Sequence, residues 1–390
     1  MMGALIVIIG FECWPFVSDA LRHDQVDFGV YRHGGAAMLH GADLYALRVG
    51  TLRLPFTYPP AAALLFAPFA WLAIRPEQGI WAVGSLIALW YVIRLSQRRY
   101  APPRVADSVL VGLGVFVLVA HSNPLRVGMD LGQINVFLAL LILADFCGVF
   151  RRLPRGSLIG IAAALKLTPA FLIVYLLVVR RYRTAAVAAS TFVLVSLVAT
   201  AFAPSASWRY WMHGYFADAH RTGDLSYISN QSLNGLFVRL MGGPSQARPL
   251  WLVSAAATAI FVLWLARRAH AERPWLGEAM AMSGMLLVSP VSWVHHWIIV
   301  LPLLLAAFRC AFETSGRIRI ALLGATSALS AVLLFGVVWR VPVFEQRVYH
   351  QSSVHFLVGN SQVLLLVVLI AALAVYVLRP SPARRLSLRH

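Results

Sequence analysis

Charge is what this 390-residue chain has least of: 12% of its residues are charged, about half the roughly 25% usual for soluble globular domains. So few charges cannot furnish the polar surface that a soluble fold of this size needs. The 60% hydrophobic share falls instead into apolar runs of about 20 residues separated by short basic loops, the pattern a bilayer selects. Acidic residues are scarcer than basic ones, 15 against 33, leaving a formal charge of +18. In a soluble chain that excess would suggest nucleic acid. Here it reads as topology, because Lys and Arg collect in cytoplasmic loops, and no nucleic-acid partner is expected. Cysteine is limited to Cys13, Cys147 and Cys310, all in apolar segments, which excludes a disulfide framework. Also missing are internal repeats, low-complexity segments, a glycine-rich phosphate loop, a Ser/His/Asp nucleophile motif, a nucleotide-binding fingerprint and any His-Glu-x-x-His or comparable ligand spacing. Any donor chemistry must draw on something other than a soluble nucleotide, and neither a metal site nor a cofactor is expected.

What is present is an all-α polytopic membrane protein forming a single domain over 1–390. Apolar runs place spans near 3–17, 78–95, 106–121, 134–150, 184–203, 249–267, 276–293, 297–313, 319–338 and 362–378. The basic clusters at 94–104, 151–155, 180–183, 267–273, 309–319 and 379–389 all face the cytoplasm by the positive-inside rule. The apolar segment 157–179 has such a cluster at each end, so it must enter and leave on one side, as a helical hairpin broken at Leu167, Thr168 and Pro169. By the same parity 57–74, with Pro59, Pro60 and Pro68, is an embedded or re-entrant helix on the outer face. These assignments give about twelve membrane helices with both termini cytoplasmic and the long loops 18–56, 204–248 and 339–361 together outside. The first span is short and has no basic leader. It is read as a span whose start lies upstream rather than as a cleaved signal peptide.

Outer loops on such a scaffold are where a site is built. The first holds Asp19, Asp24, Asp27 and Asp43. Asp27 lies in the locally apolar stretch Asp27-Phe28-Gly29-Val30-Tyr31, suited to shielding and positioning an acid or base, whereas its alternative is a helix cap or solvated carboxylate. Lys166 is the single lysine beside thirty-two arginines, set in an apolar run directly before the 167–169 break. An ionisable residue at membrane depth is a functional hypothesis by default, and its natural partner is an anion such as a lipid phosphate. Snorkelling to a headgroup or pairing with Asp145 is the alternative. His295 and His296 end a span among aromatics and point in different directions on a helix, which fits hydrogen bonding to a sugar or phosphate better than a shared metal. An interfacial-belt role competes with that reading. Asn230 and Gln231 offer amides to a polyhydroxylated ligand, although such a stretch is often a turn. Arg126, Arg209 and Arg221 are outer cations, and Gln133 with Asn135 forms a polar entry to a helix.

Seven segments then occur in a telling order: Asp27-x-x-Val30-Tyr31, Gly41-x-x-Leu44-Tyr45, Phe56-Thr57-Tyr58-Pro59-Pro60, Gly132-Gln133-Ile134-Asn135, Lys166-Leu167-Thr168-Pro169, Asn230-Gln231-Ser232-Leu233 and Ser289-Pro290-Val291-Ser292-Trp293-Val294-His295-His296. Together, over nearly the whole chain, they resemble the bacterial GT-C glycosyltransferases that use polyprenyl-phosphate-mannose, and most closely the α-1,2-mannosyltransferases of phosphatidylinositol mannoside assembly. The resemblance implies a GT-C fold in the bacterial plasma (inner) membrane, chemistry on the periplasmic side, a polyprenyl-phosphate-mannose donor, a phosphatidylinositol mannoside acceptor and no obligate protein partner. It implies Asp27 as the general base. Lys166, Arg126, Arg209 and Arg221 are the candidates for the donor phosphate, and Tyr31, Tyr58, Gln133, Asn135, Asn230, Gln231, His295 and His296 those for the sugars and acceptor. The same scaffold with another lipid-linked sugar, such as polyprenyl-phosphate-arabinose, is the alternative among enzymes. A lipid or sugar transporter is the alternative from another class.

Overall fold

The computed structural model describes residues 2–343, 346–349 and 351–379; Arg384, Arg385 and Arg389 of the last basic cluster and residues 344, 345 and 350 of the third outer loop lie outside the described residues. Among the described residues the architecture is helical, with two isolated bridges, Val49 with Leu54 and Asn230 with Trp293, as its β pairing. Six helices are long and apolar enough to cross a membrane: Ile74–Tyr100, Tyr182–Phe202, Pro244–Glu272, Val294–Phe312, Gly316–Phe335 and Ser361–Leu378. A seventh is obtained if Val109–Ala120 and Asn123–Leu131, bent by 65°, count as one broken span. Several segments expected to cross are shorter than a crossing. Asn135–Cys147 has 13 residues, about 20 Å of helix against a hydrocarbon core of about 30 Å.

Glycine, alanine and proline decide where the shorter helices go. Gly156, at the cap of Ser157–Leu165, and Gly160 within it face the backbone of Tyr182–Phe202 so closely that a Cβ would lie 2.2 Å from the Thr184 carbonyl oxygen and 2.4 Å from that of Ala188. One turn on, Ala164 packs with Ala199 and with Ala61 of Pro60–Phe66. These contacts climb both helices together, so Ser157–Leu165 runs parallel to Tyr182–Phe202. Phe171–Val178 must then return the chain to residue 182, beside residue 156, and the turn between is closed at Arg180 with φ +62°. The segment 157–179 therefore enters and leaves at one level, with Lys166 about 13 Å along the first arm, nine residues from Ser157.

The segment 18–56, expected as a loop, is more regular than that. The opening helix extends to Arg22, and Val26–Leu39 forms a helix of 14 residues. Gly29, Gly34 and Gly35 lower its intrinsic propensity, but they allow contact that larger residues would prevent. A Cβ at Gly34 would lie 2.4 Å from the Phe56 ring, and one at Gly35 2.5 Å from the Phe66 carbonyl oxygen. The helix is thereby pressed onto Pro60–Phe66 and the following turn Ala67–Trp71, a unit too short to cross, as the embedded reading of 57–74 requires. At the end of the molecule carrying the basic clusters, Arg99 forms a two-pronged pair with Glu278 (2.6 and 2.6 Å), joining Ile74–Tyr100 to Pro274–Val288.

Candidate functional site

Asp27 lies in the first turn of Val26–Leu39, where unsatisfied backbone N–H groups and the helix dipole favour an anion. The preceding Gln25 donates its side-chain amide to the Met129 carbonyl oxygen (2.7 Å), tying this helix start to Asn123–Leu131. Asn123–Leu131 ends on Gly132 in the left-handed region, φ +71°. A Cβ there would sit 2.6 Å from Phe28 and 2.9 Å from Gln25, so both the conformation and the approach require glycine. Leaving that turn, the chain delivers Gln133 to the carboxylate: Gln133 Nε2 donates to Asp27 Oδ2 at 2.5 Å. The other oxygen, Oδ1, has no hydrogen-bond partner among the described residues.

The Gln133 carbonyl oxygen gathers the neighbouring donors. Tyr31 OH lies 2.9 Å from it, Asn135 Nδ2 3.2 Å and Tyr58 OH 3.4 Å, and the two tyrosine hydroxyls are 2.8 Å apart. Tyr58 is brought in by the Pro59-Pro60 helix start, with its own carbonyl oxygen held by Tyr45 OH at 3.0 Å. Asn135 Oδ1 in turn accepts from Lys166 Nζ at 3.0 Å, and Lys166 Nζ lies 2.8 Å from His296 Nε2 and 5.4 Å from the centre of the Tyr58 ring. Lys166 has extended backbone, φ −150° and ψ 126°, so the break after Leu165 turns the lysine out of its helix and toward this group. A charged ammonium donates only to a neutral imidazole, which places the remaining histidine proton on Nδ1. Asp27, Tyr31, Tyr58, Gln133, Asn135, Lys166 and His296 thus form one continuous hydrogen-bonded chain drawn from five sequence motifs. Burial pushes the Asp27 carboxyl above the usual aspartate range; the Gln133 hydrogen bond and the Lys166 charge pull the other way.

His295 adjoins this chain, its ring centre 4.7 Å from that of His296, and both its nitrogens are buried without a partner among the described residues. Asp145 does not meet Lys166: it accepts from the backbone N–H groups of Gly156, Leu158 and Ile159 and anchors the start of the hairpin arm. Asn230 and Gln231 are fully buried and stand apart from the chain. Their amide donors are spent on the carbonyl oxygens of Leu225, Pro290, Ile228 and Gly359, so these side chains brace the protein instead of presenting amides to a ligand. Together with Ser232 and Asn234, which also donate to the Pro290 carbonyl (3.2 and 3.1 Å), Asn230 clamps the segment that leads into His296; its Oδ1 accepts from Ser292 N at 3.0 Å.

Arg126, Arg209 and Arg221 divide by partner. Arg209 forms a two-pronged pair with Asp43, which holds that carboxyl below its usual range. Arg221 lies flat over Tyr215 and Tyr45, 4.1 and 4.8 Å from their ring centres, and donates to the Phe56 carbonyl oxygen. Arg126 lines a separate cavity. Sequence reasoning missed Arg239, 2% exposed, which donates to Asn360 Oδ1 (2.6 Å) and to the carbonyl oxygens of Ser226, Tyr227 and Asn230. Among the described residues no group of three His, Cys, Asp or Glu side chains could hold a metal ion.

Comparison with known proteins places this geometry in context. Residues 56–290 match the model of glycosyltransferase family 87. A protein of Mycolicibacterium smegmatis named polyprenol-phosphate-mannose-dependent alpha-(1-2)-phosphatidylinositol mannoside mannosyltransferase is 35% identical over 312 residues, 74% of this chain and 71% of that protein. A Mycobacterium tuberculosis protein of the same name is 32% identical over 77% of this chain and 73% of its own. Another M. tuberculosis protein, named as the corresponding pentamannoside mannosyltransferase, is 35% identical over 72% of this chain and 65% of its own.

Proposed function

Because the chain belongs to glycosyltransferase family 87, we propose that it is an integral membrane mannosyltransferase that moves mannose from polyprenyl-phosphate-mannose to a phosphatidylinositol mannoside and forms an α-1,2 linkage. The scaffold in this reading is of the GT-C type in the plasma membrane. The long helices, with shorter embedded ones between them, make up about twelve membrane helices, and the site opens to the periplasm.

The observation that carries the reading is the single carboxylate, Asp27, held through one oxygen by Gln133 and tied through Gln133 and Asn135 to the lone lysine. A β-linked mannosyl phosphate reacts in one displacement. The acceptor hydroxyl oxygen forms a bond to the anomeric carbon, the bond from that carbon to the phosphate oxygen breaks, and the configuration inverts to an α-mannoside. The hydroxyl proton passes to Asp27 Oδ1, and the bonding electron pair leaves with the phosphate. One base suffices, unlike the paired carboxylates of glycoside hydrolases, and phosphate leaves without a dedicated acid. Lys166, backed by His296, offsets the charge that develops on it. Tyr31, Tyr58 and His295 supply hydroxyl and imidazole groups for the sugar. Gln133 and Asn135 hold base and cation in register.

The test is to incubate purified protein with radiolabelled polyprenyl-phosphate-mannose and a phosphatidylinositol mannoside, followed by linkage analysis. Labelled mannolipid with a new α-1,2 bond is expected. No transfer, or transfer only from polyprenyl-phosphate-arabinose, would overturn the assignment.

A further inference from the structure

A cavity of about 310 Å³ opens between the bend that follows Val109–Ala120 and the end of Gly316–Phe335, lined by His121, Asn123, Arg126, Phe335, Trp339 and Arg340. Its polar contacts leave the cations over. His121 Nε2 is engaged with Glu12 at 2.6 Å, and Asn123 Oδ1 accepts from Trp339 Nε1 at 2.8 Å. The guanidinium groups of Arg126 and Arg340 have neither a hydrogen bond nor an ion pair among the described residues; the acid acting on Arg126 is Asp130, one turn further along the same helix. Two guanidinium groups facing one cavity without a carboxylate between them suit a phosphodiester, which accepts from planar donors, and the flanking tryptophan and phenylalanine suit the interfacial depth of a lipid headgroup.

The cavity shares no lining residue with the hydrogen-bonded chain around Asp27, which sets it apart from the place of the donor's phosphate. That phosphate is bonded to the carbon that is attacked, so it must sit within one sugar ring of Asp27. Arg126 lies six residues before Gly132, about 9 Å along the helix axis, with Gln133 and Asp27 beyond. Between the two places runs an aromatic track. Trp339 lies 5.8 Å from Tyr227 between ring centres, and Tyr227 lies 5.9 Å from Trp293, two residues before His295. All three rings are partly exposed, and rings of this kind offer flat apolar surface with a polar edge to sugar faces.

We infer that Arg126 and Arg340 hold the phosphodiester of the acceptor lipid's own headgroup, and that the Trp339, Tyr227 and Trp293 track carries its mannose chain from there toward Asp27. This rests on the function proposed above and adds the orientation of the acceptor. The first experiment measures binding without catalysis: short-chain dioctanoyl-phosphatidylinositol titrated into wild type, Arg126→Gln and Arg340→Gln in detergent, with thermal melting as the control for folding. Each substitution should weaken binding at least tenfold, and Arg126→Lys should fall between. The second compares kcat/KM for a phosphatidylinositol mannoside with that for an alkyl mannoside lacking phosphate. Wild type should prefer the former at least tenfold, and Arg340→Gln should lose that preference.

A preference that survives in the variants would overturn the inference, as would a rise in donor KM in place of acceptor KM. Equal competition by dioctanoyl-phosphatidylglycerol would make the cavity a seat for any anionic lipid and also overturn it. If wild type binds phosphatidylinositol through these arginines yet transfers no mannose, the proposed reaction fails while the headgroup site stands.

Discussion

Gln133 stands between Asp27, the proposed base, and the tyrosine pair: one end of its amide donates to Asp27 Oδ2 at 2.5 Å, and the other accepts from Tyr31 OH at 2.9 Å. Hydrogen bonding to the charged form lowers a carboxyl pKa, whereas burial raises it, and at Asp27 burial is the larger of the two. The base is active unprotonated, so its contribution is complete above the raised pKa and lost as pH falls through it. The acid limb of kcat/KM should therefore lie above the ordinary aspartate value of about 3.9. Gln133→Ala removes the opposing hydrogen bond and should move that limb further up, with a loss of at least about tenfold at neutral pH from lost orientation. A pH profile of the two proteins checks this. An unmoved limb would show that Gln133 does not tune the base.

Lys166 is expected to act through its charge. Lys166→Ala should reduce use of the lipid donor by roughly 10²-fold, the scale on which a single preorganised charge-stabilising group acts. Lys166→Arg keeps the charge but loses the compact geometry that reaches both Asn135 and His296, and should retain partial activity. Steady-state kinetics with varied donor separate the cases. Equal turnover in wild type and Lys166→Ala would make the lysine a structural tie between two helices.

The site was legible in the sequence where a residue type was costly for its surroundings. A lone lysine in an apolar run, a glycine ahead of Gln133 and a proline pair after Tyr58 each stand out because a bilayer or a helix would otherwise exclude them. The clamp of Asn230 and Gln231 was not legible as a clamp, because its partners are the backbone carbonyls of Pro290 and Gly359, which carry no signature of their own. Arg209 looked like a free outer cation for the same reason, its partner Asp43 lying 166 residues away, and Arg239 drew no attention because Asn360 lies 121 residues from it. In the fold, charge parity anticipated that 157–179 doubles back on itself. It carried no information on helix length, and so the count of long spans came out lower than the number of apolar runs. The Val26–Leu39 helix was hidden by glycines whose use, close packing on Phe56 and Phe66, exists only in three dimensions.

The hairpin fixes the depth of Lys166 and can be tested by accessibility. Arg152→Cys and Tyr182→Cys, both at exposed positions flanking the hairpin, should react with a membrane-impermeant maleimide from the cytoplasmic side in a cysteine-free background. Leu52→Cys, at a position 68% exposed, should react from the outside. If positions 152 and 182 labelled from opposite sides, 157–179 would be a single crossing and Lys166 would belong to a different leaflet.

The clamp predicts a loss of stability with a functional signature. Asn230→Ala strands the Ser292 N–H, now paired with its Oδ1, at about 1–3 kcal/mol for a buried group left unsatisfied, while the Ser232 hydroxyl keeps the Pro290 carbonyl. Melting in detergent should drop accordingly. Because the segment it holds leads into His296, donor KM should rise more than kcat falls. A melting curve like that of wild type would show that Ser229, whose hydroxyl accepts from Val294 N, and Asn234 hold the segment without it.

The deepest test falls on Asp27 itself. Asp27→Asn keeps the volume and a hydrogen-bonding side chain, so Gln133 retains a partner and the helix start retains its shape, but an amide cannot take a proton at useful basicity. Expression, melting and lipid binding should match wild type while transfer falls by at least the roughly 10²-fold attributed to a positioned base. Asp27→Ala should be no more active. The same substitution at Asp19, Asp24 and Asp43 separates base from scaffold. Asp19 and Asp24 are solvent-facing partners of His23 and Arg75, and Asp43 holds Arg209, so Asn at these positions should cost far less than at Asp27. Near-normal turnover in Asp27→Asn with loss at one of the others would move the base within the segment. Intact transfer in all four would leave the acceptor proton with no carboxylate here to receive it, and a single-base displacement could not be the mechanism.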